Sequence, residues 1–242
     1  MLRVDVFIGT TNGSVVLSHL LFEESGIDQM EKCTVVFDLE YEDIDATIKQ
    51  LLITSEGIDL SMEGTIGLGD PIVVDVNLEA LNLDFNILQK YIPDEYTALF
   101  DGSKVGQMAP STVNLSMEYL NNDARINKFL FRSKGIDLGL EGTFNLSDTI
   151  TLDAGINALA LDFGVLKKFI PVEYLNEYGI LNIGGSAAIS ARIKGQYADS
   201  TLLPIVNADI KLKKVRLQTK EYPEIKTLNL SAQITNGEKT DM

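Results

Sequence analysis

Apolar and polar residues alternate along most of this chain with the period of a β-strand. Beginning at Thr34, Val35, Phe37, Leu39 and Tyr41 fall on one side and Val36, Asp38, Glu40 and Glu42 on the other, with only Val36 out of place. The pattern returns at Thr112, where Val113, Leu115, Met117 and Tyr119 oppose Asn114, Ser116, Glu118 and Leu120. Farther along each stretch, Val74, Val76 and Leu78 alternate with Asp75, Asn77 and Glu79, and Leu152, Ala154 and Ile156 with Asp153, Gly155 and Asn157. Between these lie strands predicted at 46–54 and 124–132 and strands opened by Gly57 and Gly135; the long strands are predicted over 72–84 and 150–162. The links are a few residues of turn type, Asp43 and Asn121-Asn122-Asp123 among them, too short for parallel crossovers. An antiparallel meander follows.

The alternation is copied, not merely recurrent. Residues 57–96 and 135–174 align without a gap at an offset of about 78, with about 22 of 40 positions identical. Traced upstream, the register divides the chain into a partial unit at 1–33, units at 34–111 and 112–189, and further strands at 190–242, placed at about 185–195, 205–218 and 226–235. Each unit is predicted to hold four strands. After the long strand, Asp84-Phe85 and Asp162-Phe163 open the short helical patterns FNILQKYIP and FGVLKKFIP, with the aspartate as N-cap. Pro93 and Pro171 end them, and a second short turn or helix begins at Glu95-Tyr96 and Glu173-Tyr174. Phe85, Ile87, Leu88, Tyr91 and Ile92 give this element an apolar face that would cover one edge of the sheet. Residues 1–8 alternate like a strand and lack a secretory signal pattern, and a strand runs into Asn236-Gly237 with no cap, so the chain is expected to be an internal portion of a longer repeat protein.

Composition narrows the partners. Twenty basic residues against 35 acidic ones give a net charge of -15, the wrong sign for tracking phosphates or for binding an anionic bilayer surface nonspecifically, so no nucleic acid is expected. The single cysteine, Cys33, excludes an intrachain disulfide, and no apolar run reaches the length of a membrane helix.

No catalytic constellation emerges. The stretch from Asp38 to Asp45 holds five carboxylates but lacks the glycine and terminal glutamate of a calcium loop, and reads as a solvated face and turn. Asp75 and Asp153, and Asp84 and Asp162, recur between the copies, as outward strand residues or helix caps would. His19 is the only histidine and has no nucleophile elbow beside it, and Cys33 reads as a small, partly buried residue. Gly184-Gly185 precedes a strand and so is no phosphate loop. Lys211, Lys213, Lys214, Arg216 and Lys220 form a basic cluster; by parity Lys211 and Lys213 lie on one strand face and Lys214 and Arg216 on the other. A solvated strand is the plainer account of it, contact with lipid phosphates or an acidic partner the other. No cofactor and no metal are expected.

The strand units ending in Ile-Pro-x-x-Tyr, the stretch GSAAISARIKGQY closing in Lys194-Gly195, Pro204 before an alternating strand, and Tyr222-Pro223 before a strand closing in Asn236-Gly237 together resemble the AsmA-like proteins of the Gram-negative envelope. The likeness spans most of the chain and rests on architecture. It implies a mainly β fold: an elongated, twisted antiparallel sheet of repeated meander units curled into a groove, with short helices after each unit's long strand. It further implies a non-enzymatic, periplasmic protein, anchored in the inner membrane by a segment missing from this chain, that moves phospholipids in outer-membrane biogenesis. Phospholipid acyl chains would then be the partner, with envelope proteins as further partners. The groove lining would be Val35, Phe37, Leu39, Val74, Val76, Leu78, Val113, Leu115, Met117, Leu152, Ala154 and Ile156. The residues leave two alternatives open. The same apolar positions would serve as the core of a closed sandwich in a structural or adhesive module that binds protein, and an enzyme would need His19 or an acidic pair.

Overall fold

A computed structural model of the chain describes residues 11–22, 27–42, 45–88, 109–147, 149–170, 172–197 and 203–237. Asp43, the expected strand at 1–8, and the first unit's Tyr91, Ile92, Pro93 and Glu95-Tyr96 lie outside them, as does Pro171. Alternation sends successive side chains to opposite faces, and short turns return most strands beside their predecessors, the links at 84–110 and 163–179 being longer. The described residues accordingly form one antiparallel sheet of twelve strands in unbroken chain order. These are β1 (Thr11–Phe22), β2 (Ile27–Glu42), β3 (Asp45–Ser55), β4 (Ile58–Gly67), β5 (Val73–Leu83), β6 (Ser111–Leu120), β7 (Asp123–Ser133), β8 (Ile136–Asn145), β9 (Ile150–Asp162), β10 (Ile180–Tyr197), β11 (Ile205–Thr219) and β12 (Ile225–Thr235). The fold is mainly β, an open antiparallel sheet with a few short helices.

Several strands contain a bulge, and the bulges decide which residues face which side. In β3, Ile48 pairs with Leu39 and Leu51 with Phe37, so Lys49 and Gln50 both turn to the other face. In β7, Ile126 pairs with Met117 and Phe129 with Leu115, which sends Asn127 and Lys128 out together. The two bulges lie 78 positions apart. A second pair follows at the same offset. Leu81 of β5 and Leu159 of β9 have no partner on the preceding strand, and both project into solvent at 60% and 70% exposure. A bulge inserts one residue and so reverses the parity of everything beyond it.

Glycine stands opposite the first pair of bulges. Gly64 on β4 and Gly142 on β8 stand opposite Ile48 and Ile126, with φ of 142° and 155°. A Cβ on Gly64 would lie 2.1 Å from the Asp75 carbonyl oxygen, and one on Gly142 2.6 Å from that of Asp153. Neither oxygen can retreat, because both belong to the neighbouring strand's backbone.

The helices occupy one end of the sheet. Asp162 accepts from the backbone N–H groups of Gly164 (2.8 Å) and Val165 (3.1 Å), the capping expected from the sequence, and starts the helix Phe163–Leu166. That helix packs against β9 and β10, and the following helix Val172–Glu177 buries Leu175 against β10. In the first unit the helix Phe85–Leu88 brings the Phe85 ring edge-on to Phe131 at 6.3 Å, reaching the apolar face of β7 in the next unit.

Replacing Gly64 by alanine is expected to lower stability by about 2 kcal/mol, since a side chain is forced into both a positive φ and a backbone atom. Urea unfolding of the variant against the parent protein measures this; a change within error would show that β5 moves to admit the methyl group.

Candidate functional site

Cross-strand partners in a sheet share a face, so the register can be followed from strand to strand as rows. One row runs Phe37, Leu51, Met62, Leu78, Leu115, Phe129, Leu140, Ile156, Ala191, Ala208, Ile234, each residue the direct partner of the next. Beside it runs Val35, Ile53, Leu60, Ala80, Val113, Phe131, Leu138, Ala158, Ile189, Ile210, Ala232. A third joins Leu39, Ile48, Gly64, Val76, Met117, Ile126, Gly142, Ala154, Ile193 and Val206. A fourth, nearest the other end of the strands, joins Tyr41, Ala46, Ile66, Val74, Tyr119, Ala124, Phe144 and Leu152. No charged side chain enters any of the four.

All twelve residues named from the sequence as apolar lining belong to these rows. Phe37, Leu78, Leu115 and Ile156 fall in the first, Val35 and Val113 in the second, Leu39, Val76, Met117 and Ala154 in the third, and Val74 and Leu152 in the fourth. The sequence missed the contributions of β3, β4, β7, β8, β10, β11 and β12, such as Leu51, Met62, Phe129, Leu140 and Phe144. The signal was present: in both ATIKQLLITS and ARINKFLFRS the apolar parity breaks at the same place, between Ile48 and Leu51 and between Ile126 and Phe129.

Burial on this face is graded. Val76, Ala80, Ala154 and Ala158 are buried, yet Val35, Phe37, Leu78, Leu115, Phe129, Leu140 and Ile156 keep intermediate exposure. Neighbours within one sheet cover a side chain from the flanks and leave its top open. Among the described residues no second sheet lies over the face. Where β5 to β10 meet the fourth row, the surface forms a concavity of about 710 Å³ whose lining includes Val74, Tyr119, Ala124, Phe144 and Leu152, with Asp123, Asn145 and Gln196 among its polar members.

The opposite face is polar. Thr65, Asp75, Glu118, Arg125, Thr143, Asp153 and Lys194 form one continuous row there, and Val36, the exception in the alternation, pairs with Leu52. Asp75 stands directly opposite Glu118, a like-charge pair, and Glu118 accepts from Asn127 Nδ2 at 2.6 Å. The equivalent contact in the preceding unit is Lys49 donating to Glu40. Asp153 is held differently: Lys194 Nζ is 3.3 Å from Oδ2, and Arg192 Nη2 is 2.6 Å from Oδ1 in charge contact without hydrogen-bond alignment. Partial desolvation pushes its carboxyl upward, and the two cations outweigh this, leaving it below the usual carboxylate range.

The remaining candidates come apart. Asp75 and Asp153 are outward strand residues separated by several strands, and Asp162 is a cap. Cys33 is 3% exposed, and burial pushes its thiol up, away from the reactive thiolate. His19 falls on β1, with its side chain outside the described residues, and Gly185 sits in β10 with φ of 95°. Among the described residues no three metal-ligating side chains converge, and no helix is long and apolar enough to cross a membrane.

The parity assignment of the basic cluster is corrected by a further bulge. In β11, Leu212 pairs with Ala187 and Leu230 while Val215 pairs with Leu228, so Lys213 and Lys214 are both expelled from the apolar face. Lys211, Lys213, Lys214 and Arg216 therefore all point to the polar side and are exposed.

No family model, curated protein or solved structure matches this chain.

Asp153 has a depressed folded pKa, so its ion pairs contribute stability that is present in full above the unfolded aspartate value of about 3.9 and is lost as pH falls through the lower folded value. Asp153→Asn is expected to lower the melting temperature at pH 7 and to leave it unchanged once pH is well below the folded pKa. Paired thermal melts across that range test the sign; equal destabilisation at both ends would assign the effect to packing.

Proposed function

We propose that the apolar face of the sheet binds phospholipid acyl chains, and that this chain is a non-enzymatic segment of a lipid-carrying β-groove of the AsmA-like kind. In that reading the sheet curls about its apolar side, stands in the periplasm as part of a protein anchored in the inner membrane, and serves outer-membrane biogenesis. The duplicated units are the modules from which its length is assembled.

One observation carries the proposal: four adjacent apolar rows cross the sheet strand after strand without a charge, and no second layer lies over them among the described residues. An amphipathic sheet requires a cover for such a face, supplied by another sheet, by helices or by a ligand. The helices lie toward one end, where Phe85 meets Phe131 and Leu175 meets β10. Covering a half-exposed aliphatic side chain with hydrocarbon stabilises by roughly 1 kcal/mol, so a chain lying across six or eight such residues gains about 6 to 8 kcal/mol, from which the cost of association is subtracted. Rows perpendicular to the strands suit this ligand. They offer equal contacts at every strand step of about 4.8 Å and no fixed stopping point, as gliding requires.

Mass spectrometry of protein prepared without detergent is expected to find co-purified phospholipid. Leu115→Asp and Ile156→Asp place charges at half-buried positions of the first row. They should reduce binding of a fluorescent fatty acid by about tenfold or more each while circular dichroism stays unchanged. Unfolding of both variants would instead identify the rows as the core of a closed assembly, the arrangement that suits an adhesive or structural module.

A further inference from the structure

The charge of this chain is not spread evenly. Residues 180–237 carry eight lysines and arginines against four carboxylates, a net of +4, while the remaining residues carry twelve against 31, a net of -19. Within the strands the contrast is sharper. β10, β11 and β12 hold seven cations and a single carboxylate, Asp209. Arg192 and Lys194 are engaged by Asp153 of β9. The four on β11 have small or neutral cross-strand partners: Lys211 faces Ala188 and Ser231, Lys213 faces Ser186, and Arg216 faces Gly184.

This concentration depends on a strained backbone. Lys214 adopts φ of +50°, a left-handed conformation uncommon for a residue of its kind, and its N–H donates to Asn229 Oδ1 at 2.9 Å. Across from it Gly185 has φ of +95°, and a Cβ there would lie 2.5 Å from the Lys214 carbonyl oxygen. Three strands thus contribute to one irregularity. Its effect is to turn Lys213 and Lys214 to the same side as Lys211 and Arg216, whereas a regular strand would divide the four between the faces. The same turn sets Val215, which is buried, beside Leu228 on the apolar face, so one irregularity serves packing on that side and gathers the cations on the other.

We propose that the β11 cation face docks on an anionic lipid surface. An acidic protein would meet the charge equally well; the surroundings favour lipid. At the end of β11 next to Arg216, the turn residue Lys220 donates its N–H to the Gly179 carbonyl at 2.9 Å, which brings Tyr178, Leu181 and Tyr222 to one end of the sheet. These are 69%, 46% and 72% exposed. Exposed tyrosines and a leucine beside lysines and arginines match the interfacial layer of a bilayer, where the ring enters the headgroups and the cation meets phosphate. The strongly acidic remainder of the chain is repelled by the same surface, so docking also sets orientation: β11 toward the lipid, β2 to β6 away. This role belongs to the polar face and goes beyond acyl-chain binding by the apolar one.

Vesicle sedimentation tests it at low salt, with phosphatidylcholine alone and with phosphatidylcholine containing phosphatidylglycerol. Binding to the anionic vesicles only is expected, falling about 5-fold for each cation removed, so that K211Q/K213Q/K214N/R216Q brings it to the background. Asn at position 214 keeps the left-handed conformation accessible, and circular dichroism verifies the fold. R132Q, which removes a polar-face cation paired with Asp137, should bind as the parent does. Raising the salt to about 0.5 M should release the parent protein. Equal sedimentation with neutral vesicles, no sedimentation with either, or undiminished binding of the quadruple variant would overturn the proposal. So would salt-sensitive self-association in light scattering without vesicle binding, which would give the face to the acidic part of a second copy. Fatty-acid binding by the quadruple variant should equal that of the parent, which separates failure at this face from failure at the apolar one.

Discussion

Everything in this structure depends on keeping two faces distinct over twelve strands. A strand has a side-chain period of two, so a slip of one residue anywhere would carry the apolar set of all later positions in that strand to the wrong side. The chain contains such slips at Lys49-Gln50, Leu81, Asn127-Lys128, Leu159 and Lys213-Lys214, and in each the sequence changes parity at the same point as the backbone. Backbone and sequence are thus out of register with simple alternation together, and the four rows emerge unbroken. Gly64, Gly142 and Gly185 belong to the same places, since each lies opposite a bulge and lets a neighbouring backbone come where a Cβ would collide with it.

The architecture was largely legible before any coordinates. Alternation at Val35 to Tyr41 and Val113 to Tyr119, short turn-forming links and the offset of 78 residues together specify an antiparallel meander, and Asp162 caps a helix where its position relative to Phe163 says it should. Faces were legible only where alternation was uninterrupted. The twelve residues read as lining come from β2, β5, β6 and β9, whose apolar sets can be followed by parity alone. β3 and β7 could not be assigned that way, because Ile48 and Leu51, or Ile126 and Phe129, differ in parity and yet share a face. The same limitation misplaced the lysines of β11. Parity divides Lys211 from Arg216, and only the left-handed turn of the backbone at Lys214 reunites them. A bulge is a local conformation whose cause lies partly on the next strand, in Gly185 and Asn229, out of reach of a reading that takes one strand at a time.

The two faces differ in how they are made specific. On the apolar side no single residue is decisive, because any half-buried aliphatic contributes the same kind of contact, and the rows tolerate drift such as Leu39 to Met117 or Met62 to Leu140 so long as size and polarity hold. On the polar side individual partners matter. Asp75 and Asp153 occupy equivalent places 78 residues apart, yet one confronts Glu118 and the other is clasped by Arg192 and Lys194. Duplication preserved the apolar surface while the polar surface acquired local character.

The strand order has a consequence for how this molecule comes apart. Among the described residues the extensive strand contacts are all between neighbours in the chain, and no strand bridges distant parts of the sheet. Such a molecule behaves as a one-dimensional chain of couplings, in which each strand is held by the two beside it. Loss of order at one edge therefore needs to propagate only one strand at a time, and pulling on an end would peel the sheet in successive hairpins of low force. Folding has the same locality: every strand pairs with its successor, most across a short loop and two across the longer links at 84–110 and 163–179, so the sheet can grow while the chain is still being extruded, without waiting for its final strand.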